Sequence, residues 1–182
     1  MTTVISLQEL YENYGHDKEQ THNFLKGFAC PKNTDVEKFL HQKALRFEES
    51  NNAKTHLILS DLGEILAYFS LSFKEVDLNI EKMSKSEVKQ LDGISKHARH
   101  IRVFLIGQIG KNSLIDNNPV NLSDILRHID KVLLRAQKLI GGRAMILECQ
   151  PIEKLLHLYE RYGFKQLTVI DDGQMKTLYR VL

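Results

Sequence analysis

The hydrophobic positions of this chain fall into two rhythms, and the change from one to the other marks most of its elements. Ile125, Leu126, Ile129, Val132, Leu133, Ala136, Leu139 and Ile140 recur at three- and four-residue intervals, which predicts a long helix beginning near Ser123 and stopped by Gly141-Gly142. Val36, Phe39, Leu40, Ala44 and Phe47 form a similar stripe. It starts at the capping box Thr34-Asp35-Val36-Glu37 and should run to about Glu49, where Ser50-Asn51-Asn52 ends it. Ser6-Leu7-Gln8-Glu9 is another capping box and opens a short helix through Tyr14, with Gly15 as its stop. Residues 16–20 are polar and read as a loop, and the apolar points Phe24-Leu25 and Phe28-Ala29-Cys30 before Pro31 are left unassigned by the pattern.

Short apolar runs without helical spacing read as strands. Residues 56–59 and 65–72 flank the turn Asp61-Leu62-Gly63-Glu64, an antiparallel hairpin signal. Residues 101–109 and 144–149 are nearly continuous apolar runs, the signature of strands inside a sheet. Between the first pair and the second, residues 73–100 are charged and irregular with a helix over 84–91, and read as an insertion, first as solvated decoration and otherwise as a partial cover for a site. The stretch 110–122 contains Asp116-Asn117-Asn118-Pro119 and cannot be helical throughout. Pro151 suits the first turn of a helix ending at Gly163, and residues 164–170 and 175–181 form a terminal hairpin through Asp171-Asp172-Gly173. Strands alternating with helices around one sheet predict an α/β or α+β layered fold.

Composition narrows this only a little. A length of 182 residues suits one domain with a real core. Lys+Arg of 25 against Asp+Glu of 23 gives +2, too balanced to indicate a nucleic-acid or membrane partner. Cys30 and Cys149 stand far apart, no signal-like segment follows Met1, and no apolar run is long, so a reduced, cytoplasmic setting is expected. His97 and His100 lack further ligands in the pattern, so no metal is expected. The basic run 96–102 around them could meet a phosphate, but reads first as a solvated approach to a strand.

The order of elements resembles the GCN5-related N-acetyltransferase (GNAT) superfamily. Leu158-Tyr159-Glu160-Arg161-Tyr162-Gly163-Phe164 is similar to that family's Phe-Tyr-Glu-x-x-Gly-Phe signature at the matching place. The strand from Phe104 with the helix 123–140 resembles its acetyl-coenzyme-A-binding core, and Phe28 to Arg46 is similar to a branch that includes acetyltransferase toxins. The resemblance implies a mixed, mainly antiparallel twisted sheet with helices on both faces in a single domain. It divides the chain into an N-terminal half (1–72), an insertion (73–100), and a cofactor-binding core with a C-terminal hairpin (101–182). It also implies transfer of an acetyl group from acetyl-coenzyme A, as co-substrate, to an amine.

The residues that would carry this chemistry follow from the match. Tyr159 would protonate the leaving sulfur, since a phenol of pKa about 10 is protonated at neutral pH. Its alternative is a core aromatic spaced with Leu155 and Tyr162. Glu148, a carboxylate inside an apolar strand, is the candidate general base, against a structural or outward-facing role. Cys149 reads as a small buried hydrophobe. Cofactor contacts would come from Gln108, Ile109, Gly110 and Lys111 on the strand end, and from Asn117, Asn118, Val120, Asn121 and Ser123 in the loop. That loop departs from the family's Gln/Arg-x-x-Gly-x-Gly/Ala pattern: both glycines are missing from 117–122, with Val120 and Leu122 expected to crowd the approach and Ser123-Asp124 to cap the helix. A second reading is therefore a GNAT-fold binding module without catalysis. The expected partner is a small-molecule or protein amine, with no membrane, with nucleic acid not expected, and with a homodimer left open. A third reading, toxin-like acetylation of aminoacyl-tRNA, would call for a basic face that +2 does not supply.

Overall fold

The computed structural model describes residues 2–170 and 173–182. Seven strands form one mixed, mostly antiparallel sheet in the order β1-β2-β3-β4-β5-β7-β6. The chain divides into two compact units, Met1–Ser72 with Gly107–Ile129 and Phe73–Ile106 with Asp130–Leu182, so β3 (Ile65–Asp77) and β4 (His100–Lys111) each run through both.

In the first unit, β1 (Thr3–Ser6) pairs antiparallel with β2 (Lys54–Leu59), and β2 pairs antiparallel with β3. The expected capping box opens α1 (Leu7–Asn13): Ser6 Oγ accepts from Glu9 N–H at 3.1 Å and the Glu9 carboxylate accepts from Ser6 N–H at 2.7 Å. The residues expected to form a loop at 16–20 instead begin α2 (Lys18–Leu25). Asp17 is the reason, because its carboxylate accepts the Gln20 N–H at 2.9 Å while the Thr21 hydroxyl, fully buried, bonds to Asp17 O.

The predicted helix over 34–49 forms as α3 (Thr34–Lys38), a π-helical stretch (Phe39–Lys43) and α4 (Ala44–Glu49). Its cap is Asn33 rather than Thr34, and the Glu37 carboxylate takes Cys30 N–H instead of completing a box. The wider turn, closed by Ala44 N–H on Phe39 O, lets Leu40, Ala44 and Leu45 all face the core. That core is built from Leu7, Leu25, Phe28, Leu40, Leu57 and Tyr68, with the Tyr68 hydroxyl donating to Val36 O at 2.5 Å. A fully buried phenol needs such an acceptor.

In the second unit, β4 pairs parallel with β5 (Ala144–Cys149) through Phe104↔Met145, Leu105↔Ile146 and Ile106↔Leu147. β7 (Lys176–Val181) pairs antiparallel with β5 along its length and with β6 (Lys165–Gln166). Val76, Val88, Leu91, Val103, Ile146 and Leu167 belong to its core, to which α5 (Lys85–Asp92) contributes Val88 and Leu91. Two expectations change here. The stretch predicted as an insertion starts with five residues of β3, whose alternation Phe73-Lys74-Glu75-Val76-Asp77 places only Val76 fully inside. The strand predicted at 164–170 shrinks to two residues, after which Val169 bridges Leu78 and Ile170 N–H bonds to Asp77 O. Asp171 and Asp172, in the expected final turn, lie outside the described residues. α6 (Leu122–Ile140) follows β4, and α7 (Glu153–Glu160) follows β5. Among the described residues no helix is long and apolar enough to cross a membrane.

Candidate functional site

In the second unit, β5 delivers the chain to α7, and α7 ends on the tyrosine signature. Gly163 has φ 82°, a left-handed conformation that lets the chain leave the helix, and Phe164 N–H bonds back to Tyr159 O at 3.2 Å. The Tyr159 ring meets the Phe164 ring edge-on, 5.8 Å between centroids. Arg180 fixes the far side of that ring with its guanidinium 5.0 Å over Phe164, while pairing with Asp130 and donating to Tyr162 O.

Tyr159 is half-buried, and burial pushes its pKa up to about 12, with the Cys149 thiol adding to the rise. The phenol therefore keeps its proton at neutral pH. Its hydroxyl has no hydrogen-bond partner among the described residues, whereas Tyr11, Tyr68 and Tyr179 all have one. Cys149 is buried and its thiol is pushed up by burial, which makes it unreactive, in keeping with a packing role.

Glu148, the candidate base, takes the outward-facing place that was its alternative. It is the exposed residue of an otherwise buried strand, and its carboxylate lies 2.5 Å from Lys74 Nζ. Leu147 and Cys149 turn to the opposite face, and Glu148 is the one exposed position on the face it shares with the buried Ala144 and Ile146. The pair lines a polar hollow of about 240 Å³ with Thr177. A larger cavity of about 820 Å³, bordered by Phe73, Phe104 and Arg143, contains none of the expected catalytic or loop residues, though His100 and Arg102 of the basic run line it.

In the first unit, the end of β4 and the following loop form a tight hydrogen-bonded knot. A Cβ on Gly110 would lie 2.7 Å from Tyr68 Cε1 and Val36 Cγ1, so this glycine is required by packing. Gln108 is half-buried and its amide makes no hydrogen bond among the described residues. Sequence reasoning missed Asn112, which is 1% exposed. Its amide nitrogen donates to Gly27 O and Ile65 O, and its oxygen accepts from Ala29 N–H and Leu114 N–H. The signal was present in principle: a carboxamide directly after an apolar strand is the residue type that can satisfy four loose backbone groups.

The loop itself is closed by its own side chains. Asn118 donates to Leu66 O at 2.8 Å and Asn112 O at 3.1 Å, and its oxygen accepts from Val120 N–H at 3.1 Å. Lys111 Nζ bonds to Asn118 O at 2.9 Å, and Asn117 adopts φ 51°. The helix cap is Asn121, not Ser123: Asn121 Oδ1 accepts Asp124 N–H at 3.1 Å and Asp124 Oδ2 accepts Asn121 N–H at 3.0 Å. The Asn121 N–H holds the Asp124 carboxyl below its usual range, with Arg127 helping at 2.7 Å. Val120, expected with Leu122 to crowd the approach to the loop, is 2% exposed and packed inward.

No family model and no curated protein matches this chain. Solved structures do. The chain is similar to the toxin AtaT complexed with acetyl-methionyl-tRNAfMet, at 16% identity and TM-score 0.72, covering 100% of this chain and 95% of that one. It is similar to AtaTR bound with acetyl-coenzyme A, at 14% identity and TM-score 0.64, covering 99% and 92%. It is also similar to the KacTA–DNA complex, at 16% identity and TM-score 0.65, covering 100% and 93%. These neighbours correct the expectation of a small-molecule or protein amine with no nucleic acid: proteins of this fold were solved on tRNA and with DNA. Net charge misled because it averages over the whole surface, whereas binding depends on where charges lie. The strand order, the β5–α7 connection and the full-length likeness together give this chain the GNAT fold.

Proposed function

We propose that this chain is an N-acetyltransferase that takes its acetyl group from acetyl-coenzyme A and transfers it to the amine of an aminoacyl-tRNA. The observation that carries the reading is the Tyr159 hydroxyl, half-buried, protonated and without a protein partner at the end of α7. A half-buried phenol whose hydroxyl no protein group holds is open to a ligand atom. The neighbours solved with acetyl-coenzyme A and with acetyl-methionyl-tRNA support the choice of donor and acceptor.

When bound, acetyl-coenzyme A supplies the acetyl group as an activated thioester. Gln108, Ile109, Gly110 and Lys111 would hold its pantetheine portion, with the free Gln108 amide as a side-chain partner. A phenol at about pKa 12 is a hydrogen-bond donor first, because full transfer of its proton to a thiolate of ordinary pKa about 8.5 runs uphill. Tyr159 therefore acts by donating to the sulfur as negative charge builds there. The acceptor explains the lack of an obvious base. An α-amino group has a pKa of about 8, so a useful fraction is already neutral at pH near 7, unlike a lysine amine at about 10.4. The C–N bond forms as the C–S bond breaks, and the proton shed by nitrogen passes to the departing thiolate or to solvent, so Glu148, exposed and held by Lys74, need not take it.

The test is transfer of labelled acetyl from acetyl-coenzyme A to a panel of aminoacyl-tRNAs. The expected result is acetylation of at least one of them, reduced by about a hundredfold or more in Tyr159→Phe. No transfer by a folded wild-type chain to any member would sink the proposal. The self-closed loop 117–124 favours a second reading, a binding module without turnover, which predicts acetyl-coenzyme A or tRNA binding with no product.

A further inference from the structure

We propose that Arg180, anchored by Asp130, is a positioning residue for acetyl transfer, setting the direction of the Tyr159 ring through Phe164 and the turn that ends α7. The proposal rests on the acetyl-transfer reading and concerns what aims the hydroxyl.

A hydroxyl with no protein partner does not fix its own direction. Its aim is set by what touches the ring and by the backbone that carries it. The ring beside Tyr159 is Phe164, edge-on at 5.8 Å. The backbone is the last turn of α7, where Tyr162 N–H and Phe164 N–H both bond to Tyr159 O, at 2.9 and 3.2 Å. Both supports lead to Arg180.

Arg180 is a cation within the strand Lys176–Val181, held there by its pairing with Met145 on β5, and its side chain is only 20% exposed. A guanidinium taken this far out of water needs partners around its planar fork of donors. Tyr162 O, a carbonyl past the end of the helix ladder, accepts from it at 3.1 Å. The Phe164 ring, buried, takes its flat face at 5.0 Å. Its stem passes close to Gly163, where a Cβ would lie 3.5 Å from Arg180 Cδ. One planar group thus holds the residue before Gly163 and the residue after it.

Asp130 on α6 holds that group in turn. Burial raises the Asp130 pKa, and the guanidinium opposes the rise. An apolar pair could fill this space without the cost of desolvating two charges, but it could not point a donor at Tyr162 O. Direction matters here because a misplacement of about 1 Å in a group that meets developing charge can cost about a hundredfold in rate.

Transfer assays on Arg180→Lys, Tyr159→Phe and the double variant test this. Lysine keeps a cation for Asp130 but cannot also lie flat on Phe164 and donate to Tyr162 O. Arg180→Lys should lower kcat by about tenfold or more with KM within about threefold, and should cost less than about twofold once Tyr159 is phenylalanine. An equal fall in both backgrounds, or no fall in the first, overturns the proposal and leaves the acetyl-transfer reading standing. No transfer by the folded wild-type chain brings down that reading, and this proposal with it. If Arg180→Lys does not fold, Asp130→Asn carries the same cycle, since it keeps an acceptor and removes the charge. Fluorine NMR of the chain labelled with fluorotyrosine reads the ring without turnover. The Tyr159 resonance, identified by its loss in Tyr159→Phe, should move in Arg180→Lys while those of Tyr11, Tyr14 and Tyr68 stay in place. An unmoved Tyr159 resonance means that the ring does not depend on Arg180, and overturns the proposal whatever the rates.

Discussion

Lys74 on β3 and Glu148 on β5 form an ion pair of 2.5 Å although β4 stands between their strands in the sheet order. The lysine stem must lie along the sheet surface to reach the carboxylate, so the contact includes packing as well as charge. Both groups are more than a third exposed, which screens the attraction. Glu148→Gln should therefore leave acetyl transfer within about threefold and its pH profile unmoved. A large fall in kcat, restored as pH is raised, would instead make Glu148 the base.

Tyr159→Phe separates chemistry from stability. Because the hydroxyl has no protein partner, its removal orphans nothing, and the edge-on contact with Phe164 remains. Thermal unfolding should shift by no more than about 2 °C while transfer collapses. A strongly destabilised variant would mean that the hydroxyl is structural after all.

Asn112→Ala should do the opposite. Four backbone groups lose their partner in a site 1% exposed, and a buried unpaired polar group costs about 1–3 kcal/mol. A loss of at least about 3 kcal/mol in urea unfolding is expected, since some groups will recover a water. Gly110→Ala tests the same region by overpacking. Its new methyl would meet Val36, Tyr68 and Phe28 at 2.7–2.8 Å, and a cost of about 1–3 kcal/mol is expected.

His56 predicts a pH dependence of the fold. Burial lowers its pKa from 6.5 to about 4, and its ring stacks on Phe69 at 4.9 Å. The depressed value means that the unfolded chain binds more protons between those two limits. Stability is then full above pH 6.5 and falls as the pH drops toward 4, by up to about 3 kcal/mol. Urea unfolding at a series of pH values should show this slope in the wild type and a flatter one in His56→Phe. Parallel slopes would assign the effect to other groups.

Much of the architecture was legible because burial is periodic. The stripe over 125–140 and the strands at 101–109 and 144–149 appear almost where the pattern placed them, as α6, β4 and β5. What escaped had non-local causes. The π-helical turn at Phe39–Lys43 is set by tertiary packing of Leu40 and Ala44, not by a local motif. β3 runs on through charged residues because neighbours cover Val76, which a window over the sequence reads as irregular. In the candidate site, the missing glycines were visible, but their consequence was not. Whether Val120 crowds a ligand or turns into the core depends on Asn118 reaching Leu66, some fifty positions away in the chain.

The two compact units are each assembled from separated stretches of chain, which enter and leave at Ser72–Phe73, Ile106–Gly107 and Ile129–Asp130. Neither can be excised as one continuous fragment, nor exchanged with a homologue by a single recombination event.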